Sequence, residues 1–425
     1  MPLLVTAFIL AATGWTALSL YLSARQVAHV LQHRDRIPPD FAASVAIEDH
    51  RRAADYTVAC ERLARIETVL EWALSLAWAL GGIGLLYGLL ASAVPPSLTL
   101  GVLFLLATAV VSIVAQLPLD IYKTFVLEQK FGFNRTDART FIADRLKGWA
   151  ISLAVFVPLV FAGLWIMRSF AGLWWLWAWF GLVAIMIAAP AVYVRLIAPR
   201  FNTFTPLEDG ALRLSIERLL ARCGFRASGL FSMDASRRTA HGNAYFIGFG
   251  KAKRIVLFDT LIGHSTPEEI EAVVAHELGH FHYRHVWYAI LRGAAILFAG
   301  LAAFGWLTKQ EWLLPSFGID YRDDALALFT CMLLASVIGP LIAPASNWIS
   351  RKNEFQADDY ARRHVGVGPM VSVLIKLARD NASTLTPDPI YALVNYSHPP
   401  APVRVRQLRE AGARDAGATP EAAIA

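Results

Sequence analysis

"STPEEIEAVVAHELGHFHYRH" (residues 265–285) runs without a break into "VWYAILRGAAILFAGLAAFGWL" (286–307). The first stretch reads as a helix with a marked start: Ser265 as N-cap, Pro267 at an early position and Glu268 as the capping-box acid. The second is apolar apart from Arg292 and long enough to cross a bilayer, which takes about 20 residues. A histidine-bearing helix therefore meets a membrane span almost end to end. The histidines belong to a membrane protein, at the edge of the bilayer.

The rest of the chain agrees. Of 425 residues, 56% are hydrophobic and only 17% charged, where a soluble protein carries about 25% charge. Mean hydropathy is +0.46. The net charge of +6 does not point to nucleic acid, because the basic residues cluster between apolar runs, as in membrane proteins with positive loops. Cys60, Cys223 and Cys331 lie far apart without metal-type spacing, so free thiols are expected.

The expected fold is mainly α and polytopic. Residues 1–195 form a membrane region with spans at about 3–24, 69–94, 97–118, 149–167 and 173–194, and residues 286–349 add spans at about 286–307 and 325–349. The first run lacks a basic leader and reads as an anchor rather than a signal peptide. The loops 25–68 (Arg25, Arg34, Arg36, Arg51, Arg52, Arg62, Arg65) and 119–148 (Lys123, Lys130, Arg135, Arg139, Arg145, Lys147) are rich in positive charge, whereas the links on the alternate side hold only Arg168, Lys309 and Arg322. By the positive-inside rule the rich loops are cytoplasmic. The N-terminus is then outside, and the segment 196–285, the stretch 350–410 and the C-terminus are inside. The Ala- and Arg-rich composition suggests a bacterial inner membrane.

Segment 196–285 reads as a small α/β insertion. "LEDGALRLSIERLLARCG" is a helix ending at Gly224, "GLFSMDAS" and "RIVLFDTLI" are strands, and "AHGNAYFIGFGKAK" is strand and turn. Residues 411–425 are small and polar and are expected to be disordered.

His276 and His280, four apart, project from one helix face. Two such imidazoles can hold one Zn²⁺, and Glu277 can reach a water on the metal without ligating it: the H-E-x-x-H arrangement. His282 and His285 break that spacing and read as interfacial or loop-facing polar residues. A catalytic zinc needs a third protein ligand. "NEFQADDYA" (353–361) offers Glu354, with Asp358 one turn on to orient an imidazole or handle a proton. "YSHPP" (396–400) presents His398 on a stiff backbone, suited to an oxyanion or a leaving group, with Arg404 six residues on.

Together these motifs resemble the type I CAAX prenyl endopeptidases, integral-membrane gluzincin metalloproteases. "YKTFVLEQKFGFNRT" (122–136), "IAPRFNTFTPLEDG" (197–210) and "GNAYFIGFGKAKRIVLFDTLI" (242–262) carry the resemblance as well, in the same order, to about residue 410. The resemblance implies seven helices enclosing a water-filled chamber, with a small cytoplasmic α/β zinc-protease domain. It implies one Zn²⁺ per chain held by His276, His280 and Glu354, with Glu277 as base and Asp358 as proton donor or orienting partner. It places Asn243, Ala244 and Tyr245 along the substrate, and His398 and Arg404 close to the site. Asn202 departs from the pattern, standing where an acid is expected.

The expected activity is peptide hydrolysis in the membrane, on peptide or protein substrates that include prenylated C-termini. The alternative substrate role is general quality control of membrane proteins. Two other classes compete. A metal-conducting channel or transporter would use polar groups such as Glu71 and Arg292 inside spans, but has no use for Glu277 beside the ligands. A shorter heat-shock-type membrane protease would have fewer spans. Oligomeric state is not legible.

Overall fold

The computed structural model describes residues 2–170, 172–225, 228–247 and 254–417. Backbone in lipid must satisfy its own amides, and each apolar run does so as helix. In chain order come α1 (Leu3–Gln32), α2 (Ile47–Ala77), α3 (Ile83–Ala91), α4 (Leu98–Tyr122), α5 (Ala138–Ser169) and α6 (Trp174–Val192). Then follow β1 (Phe204–Pro206), α7 (Ala211–Arg222), β2 (Gly229–Met233), β3 (Ala244–Ile247), β4 (Arg254–Phe258), α8 (Asp259–His264) and α9 (Pro267–His282). The chain continues through α10 (His285–Leu307), a short α11 (Leu313–Ser316), α12 (Asp324–Ala335) and α13 (Gly339–Val365). It closes with α14 (Val367–Asp380), α15 (Pro389–Asn395) and α16 (Ala401–Asp415).

By length and composition six helical segments can span a membrane. A seventh appears if α12 and α13, which meet at a 55° bend, count as one. That break falls inside the expected 325–349 span, just before Pro340 at the start of α13. The basic stretches 25–68 and 119–148 are not mainly loops. α1 extends to Gln32, α2 begins at Ile47, and the helical path of α4 runs on through a widened turn to Glu128. Their charges sit on helix ends that emerge from the apolar zone and pin one another: Arg34 donates twice to Asp55 at 2.7 Å.

The spans bury little of themselves, between 6 and 28% of their most apolar windows. Most of their apolar surface is thus left outside the protein's own core, as helices facing lipid require. At one end these helices share a core of Val5, Phe8, Ile83, Phe104, Leu164 and Leu326.

At the other end lies the site-bearing half. Its four-stranded sheet has the order β1-β2-β4-β3, with β2 and β4 parallel and the other pairs antiparallel. β3 is thus an edge strand. A separate core joins Ile255 and Leu257 of β4 to Ile216 and Leu219 of α7, Ile270, Val274 and Leu278 of α9, and Val373 and Val405 of the last helices. α9 crosses α13 so closely that a Cβ on Gly279 would stand 2.8 Å from the Ala357 Cα. No side chain larger than hydrogen fits that crossing.

The capping of α9 is one residue later than the pattern suggested. With Pro267 as the first helical residue, Thr266 is the cap, its hydroxyl accepting from Glu269 N–H while the Glu269 carboxylate accepts from Thr266 N–H. Glu269 also accepts from Ser372 at 2.7 Å and Lys376 at 2.5 Å, tying α9 to α14. "DTLI", read as strand, opens α8 instead. Gly224, with φ 64°, follows α7 as expected. α9 and α10 are joined through Arg284 in the left-handed region (φ 57°), which costs a side-chain-bearing residue about 1–2 kcal/mol. Residues 411–415, expected in a disordered tail, complete α16, and 418–425 lie outside the described residues. So does 248–253, the turn expected after β3. Cys60, Cys223 and Cys331 are free.

Candidate metal centre

The α9–α13 crossing permitted by Gly279 places Glu354 under the two imidazoles of α9. Nε2 of His276 and Nε2 of His280 lie 3.3 Å apart. Glu354 Oε2 is 3.4 Å from the first and Oε1 3.4 Å from the second. These three residues are the one group among the described residues whose His, Cys, Asp or Glu atoms could hold a metal ion. Donors at about 2.0–2.1 Å around a tetrahedral ion stand about 3.3–3.4 Å from one another, which is the separation of the two imidazole nitrogens and of each from its nearer Glu354 oxygen. Glu354 is 4% exposed, and its Oε2 accepts no hydrogen bond. A buried carboxylate oxygen without a donor is costly, and a cation there satisfies it. Two imidazoles and a carboxylate fit a metal ion.

The two imidazoles are backed differently. His276 Nδ1 is 2.9 Å from Asp358 Oδ1, and Asp358 in turn accepts from Arg404 Nε at 2.8 Å and Nη2 at 2.5 Å. With its Nδ1–H given to Asp358, His276 turns its Nε2 lone pair toward the centre. Burial opposes charge on this ring, and the neighbouring carboxylates of Asp358 and Glu354 override it, raising its pKa to about 9. The pocket therefore favours a positive charge, as proton or as metal.

His280 is backed by a residue that sequence reasoning set aside. His285 is 7% exposed. Its Nδ1 lies 2.9 Å from His280 Nδ1, and its Nε2 2.9 Å from Gln356 Oε1. If His280 keeps Nε2 free for a metal, its Nδ1–H donates to His285, whose Nε2–H donates to Gln356. The expectation of a loop-facing His285 fails because the left-handed turn at Arg284 folds it back under α9. His282 is exposed and tilts against Tyr360. Neither spacing nor composition could have shown the His285–Gln356 pair, since they meet only across the α10–α13 contact.

Glu277, on the same turn as the ligand pair, has its pKa raised by burial, against the pull of His276 and His280. His398 approaches from the α15–α16 loop, its Nε2 3.3 Å from Glu354 Oε1, with two-thirds of its side chain exposed. Its Nδ1 is 3.1 Å from Ser397 Oγ. Arg404 also reaches Glu354, 3.6 Å from Oε2. His276, Glu277 and His280 of α9, Glu354 and Asp358 of α13, and His398 and Arg404 of the C-terminal part thus gather around one point.

A cavity of about 1170 Å³ lies on one side of this point. It is lined by Asn243, Tyr245 and Phe246 of the β3 region, by His280 and Phe281, and by Trp287 and Leu291 of the first turns of α10. Asn202 lines it too, and its amide accepts from Arg238 at 3.3 Å. A second cavity of about 560 Å³ lies on the other side, toward His398, Arg404, Asn381 and Tyr396. Asn243 and Tyr245 thus border the larger cavity from the edge strand of the sheet, while Ala244 between them packs against the core.

Known proteins resemble the chain over most of its length. Residues 26–203 match the family described as CAAX prenyl protease N-terminal, five membrane helices, and residues 206–412 match peptidase family M48. A CAAX prenyl protease 1 homolog of Oryza sativa subsp. japonica is 36% identical over 313 residues, 73% of either chain. CAAX prenyl protease 1 of Saccharomyces cerevisiae is 34% identical over 325 residues, 73% of this chain and 71% of the relative. The crystal structure of S. mikatae Ste24p superposes with a TM-score of 0.88 at 28% identity, covering 96% of this chain and 100% of that one.

Proposed function

Because the chain belongs to peptidase family M48 and is a multi-pass membrane metalloprotease acting on peptide or protein substrates, we propose that its metal is zinc and that it trims prenylated C-termini. The observation that carries the first part is that the two imidazole Nε2 atoms lie 3.3 Å apart and each faces one oxygen of the Glu354 carboxylate at 3.4 Å, the two-imidazole, one-carboxylate set of a catalytic zinc with one position left open. His276, His280 and Glu354 are the ligands. When bound, zinc lends Lewis acidity to the scissile carbonyl and lowers the pKa of water.

The chain's own groups do the rest. Glu277, its proton affinity raised by burial, takes the proton of the attacking water and passes it to the leaving amine. Asp358, held by Arg404, keeps His276 in the required tautomer. His398 Nε2 donates to the oxyanion or the leaving group. The substrate lies extended along the free edge of β3, pairing its backbone with Asn243, Ala244 and Tyr245. The larger, aromatic-lined cavity beside that edge suits an apolar substituent on the peptide. The relatives' names, CAAX prenyl protease 1, favour a prenyl group. Edge pairing by backbone alone tolerates many side chains, and that favours a second reading, general quality control of membrane proteins. By its basic helix ends the site faces the cytoplasm, and the N-terminus the outside, of a bacterial inner membrane.

The test uses two matched peptides, one farnesylated at a CAAX cysteine and one unmodified, with the zinc-loaded protein and Glu277→Ala as control. Cleavage of the farnesylated peptide alone supports prenyl trimming. Equal cleavage of both gives the quality-control reading. Stoichiometric zinc without cleavage of either overturns the hydrolytic assignment.

A further inference from the structure

The edge strand β3 has β4 on one side only, so something else must hold its leading end in place. Residues 239–243 lead into it, and their polar contacts run to three different elements. Thr260 Oγ1 donates to the His241 carbonyl at 2.9 Å. Gly242 N–H donates to Asn381 Oδ1 at 3.1 Å, and the Asn381 amide donates back to the Gly242 carbonyl at 3.4 Å. The His241 ring completes the arrangement: Nδ1 is 3.2 Å from Asn381 Oδ1 and Nε2 is 3.6 Å from Glu128 Oε2. Both ring nitrogens therefore face oxygen acceptors.

Glu128 is the last residue of the helical path of α4. It is held from the far side by the Tyr56 hydroxyl of α2, which donates to Oε1 at 2.7 Å. The His241 ring stacks on Phe133 with centroids 4.2 Å apart and an 18° interplanar angle. The Phe133 carbonyl accepts from Ala240 N–H at 3.1 Å, and Asn134 bridges to Thr239. Asn381 ends α14 and is followed by Ala382 at φ 45°. A non-glycine residue in that region is strained, and here it brings Asn381 round to face Gly242. None of these groups touches the metal site. All converge on the two residues before Asn243.

We infer that the Glu128–His241–Asn381 clamp is how the membrane helices α2 and α4 set the position of the substrate-pairing edge, making His241 and Glu128 positioning residues for peptide binding. This rests on the reading that peptide pairs with β3. The clamp joins three parts of the chain: a membrane helix end, the loop before the strand and the end of α14. Loss of any member leaves the strand attached to β4 but frees its leading end to shift. A shift there degrades pairing with an extended peptide while leaving the His276, His280 and Glu354 constellation intact, because that is held by the α9–α13 crossing.

The experiment compares His241→Phe, which keeps the stack on Phe133, with Glu128→Gln, the double variant and Glu128→Asp, all as full chain in detergent or nanodiscs. Two readouts are taken: KM and kcat for a peptide, and binding of the same peptide to each variant in a Glu277→Gln background. Metal content is measured throughout. The expected result is about ten-fold weaker binding for either single variant, the equivalent of one lost charge-assisted contact. The loss falls on KM rather than kcat, with stoichiometric metal, partial recovery in Glu128→Asp, and a double variant no worse than the singles. Unchanged peptide binding overturns the clamp's role. So does loss of metal, or a fall confined to kcat. If the parent protein binds peptide in a clamp-dependent way but never cleaves it, the clamp stands and the hydrolytic assignment falls. If Glu277→Gln binds no peptide, both fall.

Discussion

The two halves of the molecule are held together by different physics. Around the metal centre, every important side chain is placed by a specific contact: a glycine crossing, a capping box, paired carboxylates and a histidine folded under a histidine. In the membrane half, residues such as Leu85 and Leu89 lie about two-thirds exposed, in helices defined by length and apolarity. The contrast teaches where a single atom matters. Near the site a substitution changes a distance that chemistry depends on, whereas along the outer helices it exchanges one oily surface for another.

The sharpest test on the site side is Glu277→Ala. Turnover should fall by about 10²–10⁴-fold with metal retained, as read by peptide cleavage alongside metal analysis. Normal cleavage by this variant would remove Glu277 from the chemistry. Next comes Gly279→Ala. Its new methyl meets backbone of α13 at 2.8 Å, so the crossing must open at a cost of about 1–3 kcal/mol. Melting temperature and metal stoichiometry should drop together, and a drop in neither would mean the crossing is looser than its geometry. His285→Ala should weaken metal binding by about 10–100-fold in a competition titration with a chelator, with the fold intact.

Glu269→Gln probes stability without touching the site. Burial alone would raise the Glu269 carboxyl, but hydrogen bonds from Lys376, Ser372 and the Thr266 backbone hold it below the ordinary range. A carboxylate depressed in the folded state stabilises above its unfolded pKa of about 4.3, and that contribution is lost as pH falls through the lower folded value. The variant should therefore cost about 1–2 kcal/mol at neutral pH, a gap that closes on acidification. Equal losses at all pH values would show that shape, not charge, matters at the start of α9. Smallest of all, Leu85→Ile on the outside of α3 should change stability by less than about 0.5 kcal/mol. A larger effect would show that this face is packed against protein.

The same division explains what could be read from the chain. Apolar run length marks segments that the structure forms as helices, six of them long and apolar enough to span a membrane. It marks the seventh too, but not its break, because the 55° bend between α12 and α13 is local geometry rather than hydropathy. It also takes helix for loop at 25–68 and 119–148, since charge marks departure from lipid and not loss of helix. At the site, His276 and His280, and likewise Glu354 and Asp358, stand four apart and share a helix face, which is what singled them out; that the two pairs meet is not written in the spacing. His285, Gln356 and Asn381 are not. Their roles depend on contacts between segments 71 residues apart in one case and 139 in the other, and no periodicity records such meetings. The capping box slipped by one residue for a smaller reason: Ser265 and Thr266 are both good caps, and only the fixed φ of Pro267 selects the second.

The left-handed residue Arg284 gives one side chain two addresses. His285 is the first residue of the α10 span and the partner of His280, so the boundary between membrane helix and candidate metal centre is a single residue wide.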